Sequence, residues 1–348
     1  MAGLGALKRT MGFTIILVFA IFLGLVTLVT VFYFPDPITS LVVGLIGAFF
    51  LVFIQYLIGP LIVRATSRLH YLAPGENHWL ESKVGQLASQ SSIPMPRVAI
   101  SPDPTPNAFV FGRTRKGATL AVHQGLLDRL DEDEIEGVIG HELGHVKHRD
   151  FVVVTMISAI PLVAYLIARS VLWGGYASGY SRGSNKNNNA GVLIIIAVAA
   201  YAVYILTTLL ALRLTRLRES YADAYSAYLT QKPRELESAL TKIAYGLSLA
   251  PGEPHGARAF FIEDPAQAKQ DVASIIDQKS KYDLDHDGVL SERELAMAME
   301  AEAKSTWRKT AELFMTHPPT YKRILLLREI EQDMNTGNFD QSSIYKHL

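Results

Sequence analysis

The sequence predicts an α+β chain, mainly α, in which four membrane-crossing helices alternate in pairs with an extramembrane domain that holds a small β-sheet. Three observations lead there. Apolar runs with no charge in their cores occupy residues 11–34, 38–63, 151–173 and 190–212, and about 20 apolar residues cross the hydrocarbon layer of a bilayer. The intervening segments, 64–150 and 213–348, carry most of the charge and have the composition of a water-facing domain. Within the first of these, Arg97–Ile100, Ala108–Phe111 and Ala118–Val122 are β-prone and separated by Pro, Gly and charged turns, the pattern of short adjacent strands.

Composition narrows the chemistry. Of 348 residues 49% are hydrophobic, and the excess is concentrated in the four runs. The chain has no cysteine, which rules out disulfides, thiolate metal ligands and a thiol nucleophile. A formal net charge of +0 gives no support for nucleic-acid binding.

Taken in order, Lys8 and Arg9 precede the first run, which is longer than a signal-peptide core and has no small-residue cleavage pattern at its end, so it reads as an anchor. Pro35-Asp36-Pro37 makes a tight turn into the second run, interrupted near its end by Gly59-Pro60. The two runs therefore form a hairpin, domain 1–63, followed by residues 64–150. The third and fourth runs, domain 151–212, are joined by the stretch GGYASGYSRGSNKNNN, whose composition is that of a flexible linker. Residues 213–348 complete the water-facing part. Basic residues gather at 8–9, 64–68, 147–149 and 213–218, all on one side if four spans alternate. By the positive-inside rule the termini and the water-facing domain are cytoplasmic, in a multi-pass protein of the cell membrane. No charged residue sits within the cores of the spans, which argues against an ion or proton path.

The stretch Gly140-His141-Glu142-Leu143-Gly144-His145 carries the chemistry. On a helix His141 and His145 are four residues apart and share a face, with Glu142 one residue round. This is the H-E-x-x-H arrangement in which zinc peptidases hold their metal and place a general base. Asp131 with Glu134 gives a capping signal, and Ile135, Val138, Ile139 and Val146 form one apolar stripe, so a helix over about 132–149 is expected. His148 reads as a solvated or outer residue. Catalytic zinc takes three protein ligands and leaves one position open. His145 lies six residues before the third run and Glu219 seven after the fourth. If the helices continue without a break, at 1.5 Å per residue each is roughly 9–11 Å from the same membrane surface. Glu219 is thus the best third ligand, and Asp223, four residues on, can accept a hydrogen bond from a ligand histidine and fix its tautomer.

Two later stretches stand out. Residues 283–294 fit a twelve-residue calcium loop, with Asp283, Asp285 and Asp287, the Val289 carbonyl, Gly288 at the sharp turn and Glu294 as the bidentate end. Such an EF-hand-like loop usually works in pairs, and only one is found. His317 precedes the stiff Pro318-Pro319 pair and Arg323 follows on the next helix, so both could direct positive charge at an oxyanion.

Taken together these residues resemble the HtpX family of membrane-embedded zinc metallopeptidases, sister to the type I CAAX prenyl proteases. The resemblance rests on Pro106-Asn107-Ala108-Phe109, on His141 to His145, on Glu219-Ser220-Tyr221-Ala222-Asp223 and on Thr316-His317-Pro318-Pro319 to Arg323. It implies a gluzincin-like protease domain with zinc on His141, His145 and Glu219, Glu142 as acid and base, and Asp223 as an outer partner. It further implies that Asn107, Ala108 and Phe109 begin a substrate-binding edge strand, that His317 helps to stabilise the tetrahedral intermediate, and that the substrates are misfolded or damaged membrane proteins and unfolded polypeptide. The calcium loop is not a feature this family leads one to expect. Two other readings stay open: a CAAX-type protease trimming prenylated C-termini, whose known members have more spans, and a membrane-anchored calcium sensor with a structural zinc.

Overall fold

The protein is described from a computed structural model, which covers residues 3–31, 34, 36–150, 153, 157, 160–170, 189–248, 262, 281, 283–284, 294, 297, 312–337, 339 and 343–348. The chain divides into two compact units.

One unit comprises Arg9–Gly59 and Val153–Leu214 and is built from apolar helices. These are most of α1 (Gly3–Thr30) and α2 (Pro37–Thr66), then α6 (Ile160–Ser170) and the first part of α7 (Asn189–Thr230). Among the described residues three helices are long and apolar enough to cross a membrane: Gly5–Thr30, Pro37–Thr66 and Leu193–Thr230. Only α6, a shorter apolar helix, falls within the expected third run, and much of 151–173 lies outside the described residues. Helices are what such sequence must form, because hydrocarbon offers no partner to a backbone N–H or C=O. Asp36 starts α2 by accepting the Thr39 N–H at 2.8 Å, and Pro37 opens the helix where no N–H is needed. Helix α2 continues through Pro60 where the sequence suggested an interruption. One proline removes a single ladder bond, and its neighbours keep the helical path. Small residues set the packing. A side chain at Gly44 would meet Thr27 Oγ1 at 2.9 Å, while Ala164, Ala168 and Ala200 close around Leu25.

The second unit comprises Met1–Lys8, Pro60–Val152 and Thr215–Leu348. Among the described residues its sheet has four strands, β1 (His70–Tyr71), β2 (Arg97–Ser101), β3 (Ala108–Phe111) and β4 (Thr119–His123), in the order β1-β2-β4-β3. Strand β4 runs parallel to β2, with Ala99 opposite Ala121, and antiparallel to β3, with Phe109 opposite Ala121. Strand β1, too short for a periodic signal, pairs antiparallel with β2 and was not legible in the sequence. Alternation along β3 sends Ala108 and Val110 into the main core and Phe109 and Phe111 to a second cluster with Val63 and Ala121. The main core gathers α3 (His78–Gln90), α5 (Glu132–His148), α8 (Pro233–Ser248) and α9 (Thr320–Asn335) through Leu80, Leu143, Leu240 and Leu327.

Helix α5 begins with the expected capping box. Asp131 accepts from the Glu134 N–H, and the Glu134 carboxylate accepts in return from the Asp131 N–H. Its glycines are spaced for close packing. A Cβ at Gly137 would lie 3.1 Å from Leu236 N, one at Gly140 would lie 2.8 Å from Ser226 Oγ, and one at Gly144 would lie 3.2 Å from Ala222 Cα. Ser226 Oγ–H also donates to the Gly137 carbonyl at 2.6 Å. Because of Gly140 and Gly144, α5 and the later part of α7 touch almost backbone to backbone, and side chains on the two helices can share one centre.

Candidate metal centre

Helix α5 brings His141 and His145 to one side with their Nε2 atoms 3.2 Å apart. From α7, Glu219 reaches the same point, its Oε2 3.3 Å from His141 Nε2 and its Oε1 3.5 Å from His145 Nε2. The helix that supplies it is unbroken over Asn189–Thr230, as the sequence argument required. The three ligand atoms lie within 4.8 Å of one another.

The remaining ring nitrogens decide what this cluster can hold. His141 Nδ1 is 2.8 Å from Asp223 Oδ1, and His145 Nδ1 is 2.9 Å from Asp150 Oδ2. Carboxylates can only accept, so each Nδ1 carries a proton and donates it. That leaves the two Nε2 lone pairs directed at each other and at Glu219 when no further proton or cation is present. Glu219 is buried, and its Oε2 has His141 Nε2 and His317 Nδ1 as neighbours at 3.3 and 3.4 Å. Two imidazole nitrogens and a carboxylate oxygen converging in a buried space, with no sulfur, fit zinc.

Arg323, from the first turn of α9, donates from Nε and Nη2 to both Asp223 oxygens at 2.8 and 2.7 Å and from Nη1 to the Ile262 carbonyl at 2.5 Å. Its side chain is wholly buried, as is that of Asp223. Burial works against ionising Asp223, yet the Arg323 charge and hydrogen bonds win and hold its carboxyl down to about 2. Glu142 is buried, and that burial pushes its carboxyl above the ordinary range. His317 lies 3.4 Å from Glu219 Oε2 through Nδ1 and is buried, and among the described residues neither ring nitrogen makes a hydrogen bond. The strand of chain before it is tied to α7, where Arg216 Nη1 donates to the Met315 carbonyl at 2.7 Å.

Other sequence expectations land differently. Asn107 is buried, and its Oδ1 accepts the Ile262 N–H at 3.0 Å. Ala108 and Phe109 do begin β3, which lies at the edge of the sheet among the described strands. His148 is partly buried and its ring feels the charges of Asp150 and His145. Its Nε2 is 2.8 Å from the Tyr345 hydroxyl, and burial pushes the ring down to about 4. Asp150 and Arg218, missed in the sequence, meet each other at 3.2 Å. Of the calcium loop, Asp283, Leu284 and Glu294 are described: the two carboxylates are buried, and the Leu284 N–H donates to Glu294 Oε1 at 2.6 Å. Asp285, Asp287 and Val289 lie outside the described residues.

A His-x-x-x-His pair on one helix, completed by a glutamate from a second helix in a chain with long apolar helices, defines a membrane metallopeptidase. Comparison with known proteins agrees. Residues 74–331 match the profile of Peptidase family M48. The chain is 34% identical over 277 residues to a protein named Protease HtpX homolog from Aeropyrum pernix, covering 80% of this chain and 82% of that one. It is 36% identical over 245 residues to the like-named protein of Methanothermobacter thermautotrophicus, covering 68% and 90%. A crystal structure of S. mikatae Ste24p aligns at 16% identity with a TM-score of 0.49, covering 86% of this chain and 61% of that one. The chain belongs to peptidase family M48, and its relatives there are HtpX-type proteases. It is a membrane zinc metalloprotease.

The metal-free centre has a consequence for pH. Burial favours the neutral His141 ring, but the bonds to Asp223 and Glu219 overcome it and hold the ring's second proton up to about 9. Below that pH a metal must displace this proton, so zinc affinity rises as pH increases from neutral toward 9. Calorimetric zinc titrations of the apoenzyme in buffers of different protonation enthalpy are expected to show release of about one proton near pH 7. A heat independent of the buffer would contradict the protonated His141.

Proposed function

We propose that His141, His145 and Glu219 hold the zinc and that Glu142 is the general base and acid of an endopeptidase acting on misfolded membrane proteins and unfolded polypeptide at the cytoplasmic face. The observation that carries this is the convergence of two Nε2 atoms and a carboxylate oxygen, with each Nδ1 already donating to a buried carboxylate. Bound zinc supplies a Lewis acid that polarises the scissile carbonyl and lowers the pKa of the attacking water to about 7. Glu142, next in sequence to a ligand, takes the proton from that water and returns it to the leaving amine. The burial that raises its pKa brings it closer to the range in which a carboxylate works as a base near neutral pH. His317, buried beside Glu219, donates to the developing oxyanion. Arg323 acts through Asp223, to which it is paired in the buried interior, and not on the substrate. The edge of β3, opened by Asn107, Ala108 and Phe109, accepts extended substrate backbone as an added strand.

Four spans at 11–34, 38–63, 151–173 and 190–212, dividing the chain into 1–63, 64–150, 151–212 and 213–348, account for the clustering of basic residues on one side. The loop 283–294 binds calcium. Its first and last ligand positions, Asp283 and Glu294, are buried, and the Leu284 N–H bonded to Glu294 draws the ends of the loop together.

The test of the activity is cleavage of a denatured test protein by detergent-purified enzyme with added zinc. Glu142→Gln keeps the size of the side chain and removes the base, and is expected to lower the rate by about 100-fold or more. Equal cleavage by both would contradict the assignment, and cleavage of a prenylated peptide alone would favour the CAAX-type reading. For the loop, Glu294→Gln removes a bidentate ligand and is expected to weaken calcium binding at least about tenfold in a calorimetric titration; unchanged binding would leave it a structural turn.

A further inference from the structure

We propose that Asp150 is the positioning residue that makes His145 a metal ligand, held in place by Arg218; this rests on the zinc reading above. The zinc motif says nothing of it. Asp150 lies five residues after His145, and on a continuing helix it would point roughly 140° away from that histidine. It reaches His145 because α5 stops at His148. Arg149 turns the chain with φ 63 and ψ 32, and its N–H caps the helix on the His145 and Val146 carbonyls. This left-handed conformation is sterically costly for a residue with a side chain, and here it swings the next residue back beneath the helix.

Asp150 then sits fully buried between two partners. Its Oδ2 accepts from His145 Nδ1 at 2.9 Å, and its Oδ1 forms an ion pair with Arg218 Nε at 3.2 Å. Burial disfavours the charged carboxylate, but Arg218 and His145 hold it in that form. The consequence for His145 is a fixed tautomer. With the proton on Nδ1 committed to Asp150, the lone pair on Nε2 faces His141 and Glu219.

The arrangement repeats that at the other ligand. His141 is backed by Asp223 and Asp223 by Arg323, while His145 is backed by Asp150 and Asp150 by Arg218. The two chains differ in origin. Arg323 comes from α9, whereas Arg218 precedes Glu219 on α7. One stretch of α7 therefore provides the third ligand and, through Arg218, the support of the second.

The test uses full-length apoenzyme in detergent and a chromogenic chelator competing for zinc, with the apoprotein melting temperature measured beside it. Asp150→Ala is expected to raise the zinc Kd about 10–100-fold. Asp150→Asn should raise it less, since an amide oxygen still accepts from Nδ1. Either change strands the buried Arg218 charge and can lower stability on that account alone. The double variant Asp150→Asn with Arg218→Gln removes both charges at nearly constant size. Weak zinc binding by the double variant at a wild-type melting temperature supports the proposal, as does a shift of its cobalt-loaded visible spectrum. Wild-type zinc affinity in Asp150→Asn and in the double variant overturns it and leaves Asp150 and Arg218 a structural pair. A wild-type chain that binds no zinc overturns the metal reading itself and this inference with it.

Discussion

The metal centre depends on how closely two helices approach. His141 and His145 stand on α5 and Glu219 on α7, and they meet because Gly140 and Gly144 leave no side chain between these helices, while Gly137 clears the approach of Leu236 on α8. Ala222 and Ser226 supply the facing surface, and the Ser226 hydroxyl bonds a carbonyl of α5 directly. A larger residue on that stripe must displace a neighbour, and interiors packed this tightly tolerate such insertion poorly. Geometry at the ligands is thus set by residues that never touch a metal.

Electrostatics complete what packing begins. Glu142, Glu219, Asp150 and Asp223 are buried around the two histidines, and Arg218 and Arg323 are the buried guanidiniums paired to them. With neutral imidazoles and all four carboxylates ionised the centre is short of two positive charges, the charge of a zinc ion. Buried charge without a partner is costly, so the fold is most favourable when a divalent cation is present. In the metal-free protein part of the deficit is met by the second proton on His141, whose ring is held up to about 9. The same carboxylates that give each histidine its tautomer thereby make proton and metal compete.

Much of this was legible in the sequence where a period or a spacing carried the signal. The four-residue spacing of His141 and His145 and the Asp131 capping signal point to the cluster that the fold assembles, and α7 carries Glu219 without a break as expected, whereas on the His145 side the expected continuous helix ends at His148. Asp150 was not legible, because its position depends on a left-handed turn at an arginine, and no local pattern announces a non-glycine residue in that conformation. Asn107 and Arg323 read as candidates for contact with substrate. In the structure both bond the Ile262 backbone, one accepting its N–H and the other donating to its carbonyl. The contact with Asn107 spans 155 residues of chain and the one with Arg323 spans 61, and no periodicity encodes either. Pro60 misled for a simpler reason: a proline costs one ladder bond, which a long apolar helix absorbs.

The most direct test of the centre is the zinc K-edge X-ray absorption spectrum of the purified full-length enzyme beside its Glu219→Gln variant. For the wild type the account predicts nitrogen and oxygen neighbours only, at about 2.0–2.2 Å, with multiple scattering from two imidazoles. It predicts a carboxylate contribution lost in the variant. A shell without imidazole scattering, or a spectrum that Glu219→Gln leaves unchanged, would contradict it.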